Sequence, residues 1–177
     1  MLDGRRIAYL AEIDLQCSLI ARAAARLDRE SQSAERDALE IWTLVQTILT
    51  SSANLSLLLW GESPREREQR HSLRRFLEVD EASPLAGRRR ELASERFDVR
   101  VEEWESTRDR SFVTFVGRVV SESADLEVAS QGREWFEHFD PLTGVVSFWG
   151  HRVELGPILR EVHRIHPLAK TFDHVPR

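Results

Sequence analysis

The chain has 177 residues, of which 41% are hydrophobic and 31% are charged, and its formal net charge at pH 7 is −5. This composition is typical of a globular domain and excludes an intrinsically disordered chain. The negative net charge argues against bulk electrostatic attraction to nucleic acid, but a local basic patch is still compatible with it.

One cysteine, Cys17, is present, so neither an internal disulfide nor a cysteine-based zinc site can form within a single chain. Residues 1–14 are charged and contain no continuous apolar run, so they do not read as a signal peptide. We therefore expect a cytoplasmic protein, and no motif for a cofactor is present.

Two long helices are predicted first, over residues 3–29 and 34–60, because apolar residues recur there at steps of three and four. Ser33 is placed to cap the second helix. Trp42 and Trp60 fall on apolar helical faces and are expected in the core. A short turn between two long helices predicts an antiparallel pair.

A short basic helix is predicted over residues 64–76, and a fourth helix over residues 84–107. The pair Ser83 and Pro84 is a typical helix start, with serine as the cap and proline at the first helical position. The four helices together predict a bundle that occupies residues 1–109.

The helical spacing of apolar residues stops after residue 110. β-branched and aromatic residues then predict strands over residues 112–120, 135–139 and 145–149. Between the last two strands, Asp140 and Gly144 bound a stretch with hairpin turn chemistry. Residues 110–154 are thus predicted to form a small antiparallel β-hairpin element. A C-terminal helix and tail follow in residues 155–177, and the whole is expected to be one continuous, mainly α domain.

Several strings resemble bacterial HEPN-like proteins: LLLW at 57–60, LRRFLEVDEASPL at 73–85, ERFDVRVEEW at 95–104 and FDPLTGVVSFWG at 139–150. The resemblance implies a four-helix bundle that dimerises, with a dimer face near the helix at 84–107. Active members of that family are metal-independent endoribonucleases. They use an arginine and a histidine that lie four to six residues apart on one helix and are contributed by both protomers.

In this chain the two motif positions of that family fall on Glu91 and Arg96. Arginine does not deprotonate in proteins and so cannot act as a general base, and a carboxylate at position 91 would repel a phosphate. The resemblance therefore implies a degenerate, non-catalytic member that acts by protein–protein interaction. It would work as a homodimer, or as a partner subunit in a bacterial defence or toxin–antitoxin assembly.

Two other functions are compatible with the sequence. Arg65 and His71 are six residues apart in the predicted third helix and would serve a metal-independent endoribonuclease, with histidine exchanging a proton and arginine holding the phosphate. A non-catalytic subunit that binds RNA or DNA is the other alternative, and its basic patch would consist of Arg70, Arg74, Arg88, Arg89 and Arg90.

Aromatic and histidine residues complete the set of candidate positions. Trp135 and Trp149 lie in the hairpin, which is too small to bury both of its faces by itself, so both are candidates for partner contact. His163 and His166 have a spacing that metal ligands use, but no third and fourth ligand is evident and no metal site is predicted. His138 is expected at the surface of its strand.

Overall fold

The computed structural model describes residues 4–87, 102, 105–106, 113–120, 133–148 and 151–170. Within these residues the fold is mainly helical, with a small sheet and a C-terminal helix, as the sequence predicted. The elements in chain order are α1 (Gly4–Ser31), α2 (Ala38–Trp60), α3 (Pro64–Gln69), α4 (His71–Phe76), β1 (Val113–Val120), β2 (Arg133–Asp140), β3 (Val145–Phe148), β4 (His151–Glu154) and α5 (Leu155–Ala169).

The pair α1 and α2 forms the centre of the fold and is antiparallel, as predicted. Side chains join the two helices at two levels: Asn54 donates to Gln16 at 3.4 Å, and Arg26 pairs with Glu40 at 2.8 Å. The facing apolar stripes are almost fully buried, as amphipathic helices require. The core also takes residues from α4, the sheet and α5.

The start of α2 differs from the prediction by four residues. Asp37 is the N-cap, and its carboxylate accepts hydrogen bonds from the backbone N–H groups of Leu39 and Glu40. The proposal that Ser33 caps this helix is wrong. Ser33 lies in the preceding turn, where its hydroxyl accepts from the N–H of Glu35 at 3.2 Å.

The two possible caps allow a direct comparison. Replacing Asp37 with alanine leaves two N–H groups at the helix start without their acceptor, and we expect a loss of about 1 kcal/mol in the free energy of unfolding. Ser33→Ala is the matched control, and we expect a change of only a few tenths of a kcal/mol. Urea denaturation followed by circular dichroism measures both, and equal effects would contradict the assignment of the cap.

The predicted third helix is divided into α3 and α4 at Arg70, whose N–H donates to the carbonyl of Glu66 at 3.0 Å and ends α3. The prediction that a helix begins at Pro84 is also wrong, since residues 81–87 form turns that end with Gly87 at φ 67°. Residues 88–101 of that predicted helix lie outside the described residues, while 102, 105 and 106 are helical.

The sheet has four strands in the order β1-β2-β3-β4. The predicted hairpin is present as the antiparallel pair β2–β3, in which Asp140 is opposite Val145. Two features were not predicted. A further antiparallel strand, β4, follows β3, and β1 joins the opposite edge parallel to β2.

The turn between β2 and β3 has the predicted chemistry. The carboxylate of Asp140 accepts from the N–H of Leu142 at 2.9 Å, while its carbonyl accepts from the N–H of Gly144. Gly144 has φ 65°, a value that glycine adopts without the steric penalty of a Cβ. His138 on β2 is only 6% exposed, so the expectation that it lies at the surface is wrong.

Helix α5 packs against α1 and is held to the turn that follows α4. The hydroxyl of Ser83 donates to Glu161 at 2.8 Å, and the guanidinium of Arg164 donates to the carbonyl of Leu77 at 3.3 Å. Pro167 lies inside this helix, which continues to Ala169. The absence of a proline N–H at that position removes one helical hydrogen bond without stopping the helix.

Among the helices that the structure describes, α2 is long and apolar enough to cross a membrane by length and composition alone. Of its most apolar 18-residue stretch, however, 61% is buried inside the fold. That burial is the behaviour of the central helix of a water-soluble protein, whose apolar surface is covered by its own neighbours.

Candidate functional site

The proposed nuclease pair, Arg65 and His71, is not held together by one helix. Arg65 lies on α3 and His71 is the first residue of α4, on the other side of the break at Arg70. Both residues are exposed. His71 opens onto a cleft of about 370 Å³ that it shares with Glu78, Asp80 and Glu81. Two arginine side chains line the cleft as well, so its charge is mixed and it is not a basic site built for a phosphate.

Arg74, one of the residues assigned to a basic patch, is buried and only 6% exposed. Its guanidinium donates to the carbonyls of Leu59 at 2.8 Å and of Arg67 at 3.0 Å, and lies 5.7 Å from the ring centroid of Trp60. Glu81 closes the cluster by pairing with Arg67 and by accepting from the Trp60 indole at 3.2 Å. These internal contacts make Arg74 a structural residue that joins the end of α2 to α3.

Arg70, the other described member of that patch, is largely buried, with 13% of its side chain exposed. It donates to the hydroxyl of Tyr9 at 3.4 Å and lies 4.0 Å from the carboxylate of Glu66. Hydrogen bonds from Arg70 and then from Arg5 lower the pKa of the Tyr9 phenol. Arg70 thus connects α1 to the region of α3.

The remaining arginines of the patch, Arg88, Arg89 and Arg90, and the two motif positions, Glu91 and Arg96, lie outside the described residues. The same holds for Trp149. Trp135 lies on β2, where its backbone is paired with Phe115 of β1. The assignments made to these residues stay predictions.

The two histidines of α5 are in different surroundings. The Nε2 atom of His166 lies 2.9 Å from Asp14 and 3.2 Å from the hydroxyl of Ser18, both on α1. His163 is exposed. No group of three potential metal-binding side chains occurs within the described residues. His166 therefore joins α5 to α1. In a catalytic triad the hydroxyl and the carboxylate contact different nitrogens of the histidine, whereas here Nε2 contacts both, so the three residues do not form a triad.

Cys17 is fully buried beside this contact. Burial, together with the negative charge of Asp14, raises the pKa of the Cys17 thiol to about 12. A thiol of this kind stays protonated near neutral pH and is a poor nucleophile. Cys17 is thus a small residue of the hydrophobic core.

An exposed surface that the sequence had not singled out lies along α1 and α2. We call it the uncharged face, and it consists of Leu15, Leu19, Leu39, Thr43, Gln46, Thr47, Thr50 and Asn54. A shallow groove of about 620 Å³ runs along it between the two helices. Leu39 is 74% exposed, Leu15 50% and Leu19 39%.

The absence of charge is the unusual property of this face. Residues 41–60 contain no aspartate, glutamate, lysine or arginine, in a chain in which 31% of residues are charged. Solvated helix faces usually carry charged side chains, whereas the centres of protein interfaces are depleted of them. Charged residues appear only where the face ends, with Glu12 and Arg22 on α1 and the Arg26–Glu40 pair beside them.

Comparison with known proteins found no matching protein-family model, no matching curated protein and no matching solved structure. The HEPN-like strings thus remain a resemblance in sequence. The surfaces of this chain are therefore the basis for a functional proposal.

Proposed function

We propose that this protein is a non-catalytic interaction protein that binds another protein chain through the uncharged face. The observation that carries the proposal is the combination of exposed leucines with the lack of charged residues over positions 41–60 of α2. Contiguous exposed apolar surface bordered by polar residues is typical of protein-binding sites.

The polar groups of the face are suited to burial. The hydroxyl of Thr43 donates to the carbonyl of Leu39, and that of Thr47 donates to the carbonyl of Thr43, both at 2.8 Å. Hydroxyls that are already bonded within the helix lose little when water is removed, because no donor is left without an acceptor. The face can therefore be covered without a large desolvation penalty.

The described side chains favour binding over catalysis. The candidate pair Arg65 and His71 is exposed on two helices, the cleft at His71 is of mixed charge, and Arg74 is used inside the fold. A non-catalytic, HEPN-like subunit of a cytoplasmic bacterial defence or toxin–antitoxin assembly would fit this arrangement. That wider setting is part of the proposal.

Site-specific photocrosslinking in cells tests the proposal. With benzoylphenylalanine at Thr50 on the uncharged face, we expect a covalent adduct with a protein after irradiation. The matched control is the same group at His163, which is exposed on α5, and there we expect no such adduct. No adduct at Thr50, or the same adducts at both positions, would show that the uncharged face does not bind a protein.

A further inference from the structure

We infer that the partner of the uncharged face is a second copy of this chain, which docks with its α1 antiparallel to the first α1 at the level of Cys17. This inference rests on the proposed function and adds to it both the identity of the partner and the register of the contact. Four exposed residues on α1 are arranged in an order that fits such a contact.

These four residues form one stripe along the helix. Glu12, Leu15, Leu19 and Arg22 are separated by steps of three, four and three residues, which place them on the same side of an α-helix. All four are exposed. Leu15 and Leu19 thus lie between an acidic end and a basic end of a single stripe.

The stripe is complementary to itself when it is reversed. Leu15 and Leu19 are equally far from Cys17 in sequence, and so are Glu12 and Arg22. A twofold axis at that level places Leu15 opposite the second Leu19, and Glu12 opposite the second Arg22. The twofold operation makes each contact occur twice, as in any isologous interface.

Both charged residues are available for this contact. Within the described residues neither Glu12 nor Arg22 belongs to an ion pair, and the one hydrogen bond to Glu12 comes from the neutral amide of Gln16 at 2.7 Å. By contrast Arg26, one turn further along α1, is already paired with Glu40. The charges that a second copy would need are therefore ones that form no ion pair with the described part of the chain.

The adjoining part of α2 would complete the interface. From Leu39 to Asn54 it spans roughly 22 Å at 1.5 Å per residue, and its one charged residue, Glu40, is already paired with Arg26. A two-helix face of this length lies at the small end of specific interfaces, where total buried areas are about 1,200 Å². We therefore expect dissociation in the micromolar range.

Charge exchange between the two ends of the stripe tests the register. In sedimentation equilibrium at low salt, we expect the full-length protein to reach twice the 20.5 kDa of one chain. Glu12→Arg places two arginines opposite each other at both contacts, and Arg22→Glu does the same with two glutamates. For each variant alone, the dissociation constant of the dimer should rise about tenfold or more. This estimate takes the usual free energy of an exposed ion pair and counts it twice, because the contact occurs twice.

An equimolar mixture of these two variants should dimerise again, within about threefold of the original protein, because each variant supplies the charge that the other lacks. The single chain that carries both substitutions should recover in the same way. Circular dichroism melting serves as the control that all variants are folded. Higher salt should reduce the differences, since the pairs are exposed.

A monomeric protein at 100 μM and above, single variants that dimerise like the original, or a mixture that does not recover would each overturn the inference. These outcomes are distinct from failure of the proposed function. A monomeric protein whose Thr50 crosslinks to a different protein in cells would retain the proposed function and exclude the second copy as partner. Absence of any crosslink at Thr50 would remove the proposed function itself.

Discussion

Replacing Arg74 with alanine is expected to lower the free energy of unfolding by about 3 kcal/mol. The substitution removes two charge-assisted hydrogen bonds, to the carbonyl of Leu59 at the end of α2 and to that of Arg67 in α3. It also removes the guanidinium from beside Trp60, the last residue of α2. The pairing with Glu81, at 3.7 Å, adds little, because more than half of that side chain is exposed.

Arg75→Ala is the matched control for this prediction. It removes the same charge from the next residue, which is exposed, and we expect a change within about 0.5 kcal/mol. For a chain of this size the Arg74 variant should melt roughly 6–12 °C lower, while the control should melt unchanged. Equal stabilities of the two variants in urea would show that the internal contacts of Arg74 contribute nothing.

The result also bears on the nucleic-acid hypothesis. If only Arg74→Ala weakened binding to RNA, the loss would be explained by destabilisation of the fold. If Arg75→Ala weakened binding as well, a contact between this region and RNA would be supported. Substituting an arginine that contacts a phosphate would lower the salt dependence of RNA binding without lowering the stability of the fold. Of the described arginines, an exposed one such as Arg75 is thus the informative substitution for that hypothesis.

The long helices were predictable because their signal is local and repeated. The apolar period of α1 and α2 runs over more than six turns of each helix, so the prediction does not depend on any single residue. Their ends depend on one or two side chains, and Ser33 and Asp37 are both good caps in isolation. Only the packing of α2 on α1 decides between them, and the sequence does not show it.

The sheet was only partly predictable for a similar reason. The β2–β3 hairpin is marked by the turn from Asp140 to Gly144, which is local chemistry. The parallel pairing of β1 with β2 is not marked by any local pattern, because it depends on the path of the 12 residues between them. β4 was missed since it is short and leads directly into α5.

The roles of the site residues could be predicted least. Arg74 looks in sequence like its exposed neighbours, and its burial depends on where Trp60 ends α2. The uncharged face did leave a signal, namely the charge-free run of residues 41–60. That run indicates burial equally well, and much of it is buried. The exposed side was distinguishable only after the position of α1 was known.

Replacing Gly61 with alanine is expected to destabilise the fold by about 3 kcal/mol, for two separate reasons. Gly61 ends α2 with φ 70° and ψ −171°, a conformation that is essentially confined to glycine. An added Cβ would also collide with the guanidinium of Arg70 and would lie 2.5 Å from the Cβ of Glu66. Backbone strain and steric conflict therefore act on the same junction between α2 and α3.

Gly144→Ala separates these two effects. Gly144 has φ 65°, but a Cβ there would meet nothing within 4 Å. We expect this variant to lose only about 1–2 kcal/mol, the usual penalty for a left-handed non-glycine residue. Chemical denaturation of both variants gives the comparison, and a Gly61 variant no less stable than the Gly144 variant would exclude the steric contribution.

The steric part can be assigned to Arg70 by a double-mutant cycle. In an Arg70→Ala background the collision with the guanidinium is absent, so Gly61→Ala should be less harmful there by about 1 kcal/mol. The conflict with the Cβ of Glu66 and the backbone strain remain, so the rescue should be incomplete. Strictly additive effects would mean that the guanidinium moves aside freely, and that its contact with Tyr9 does not hold it over Gly61.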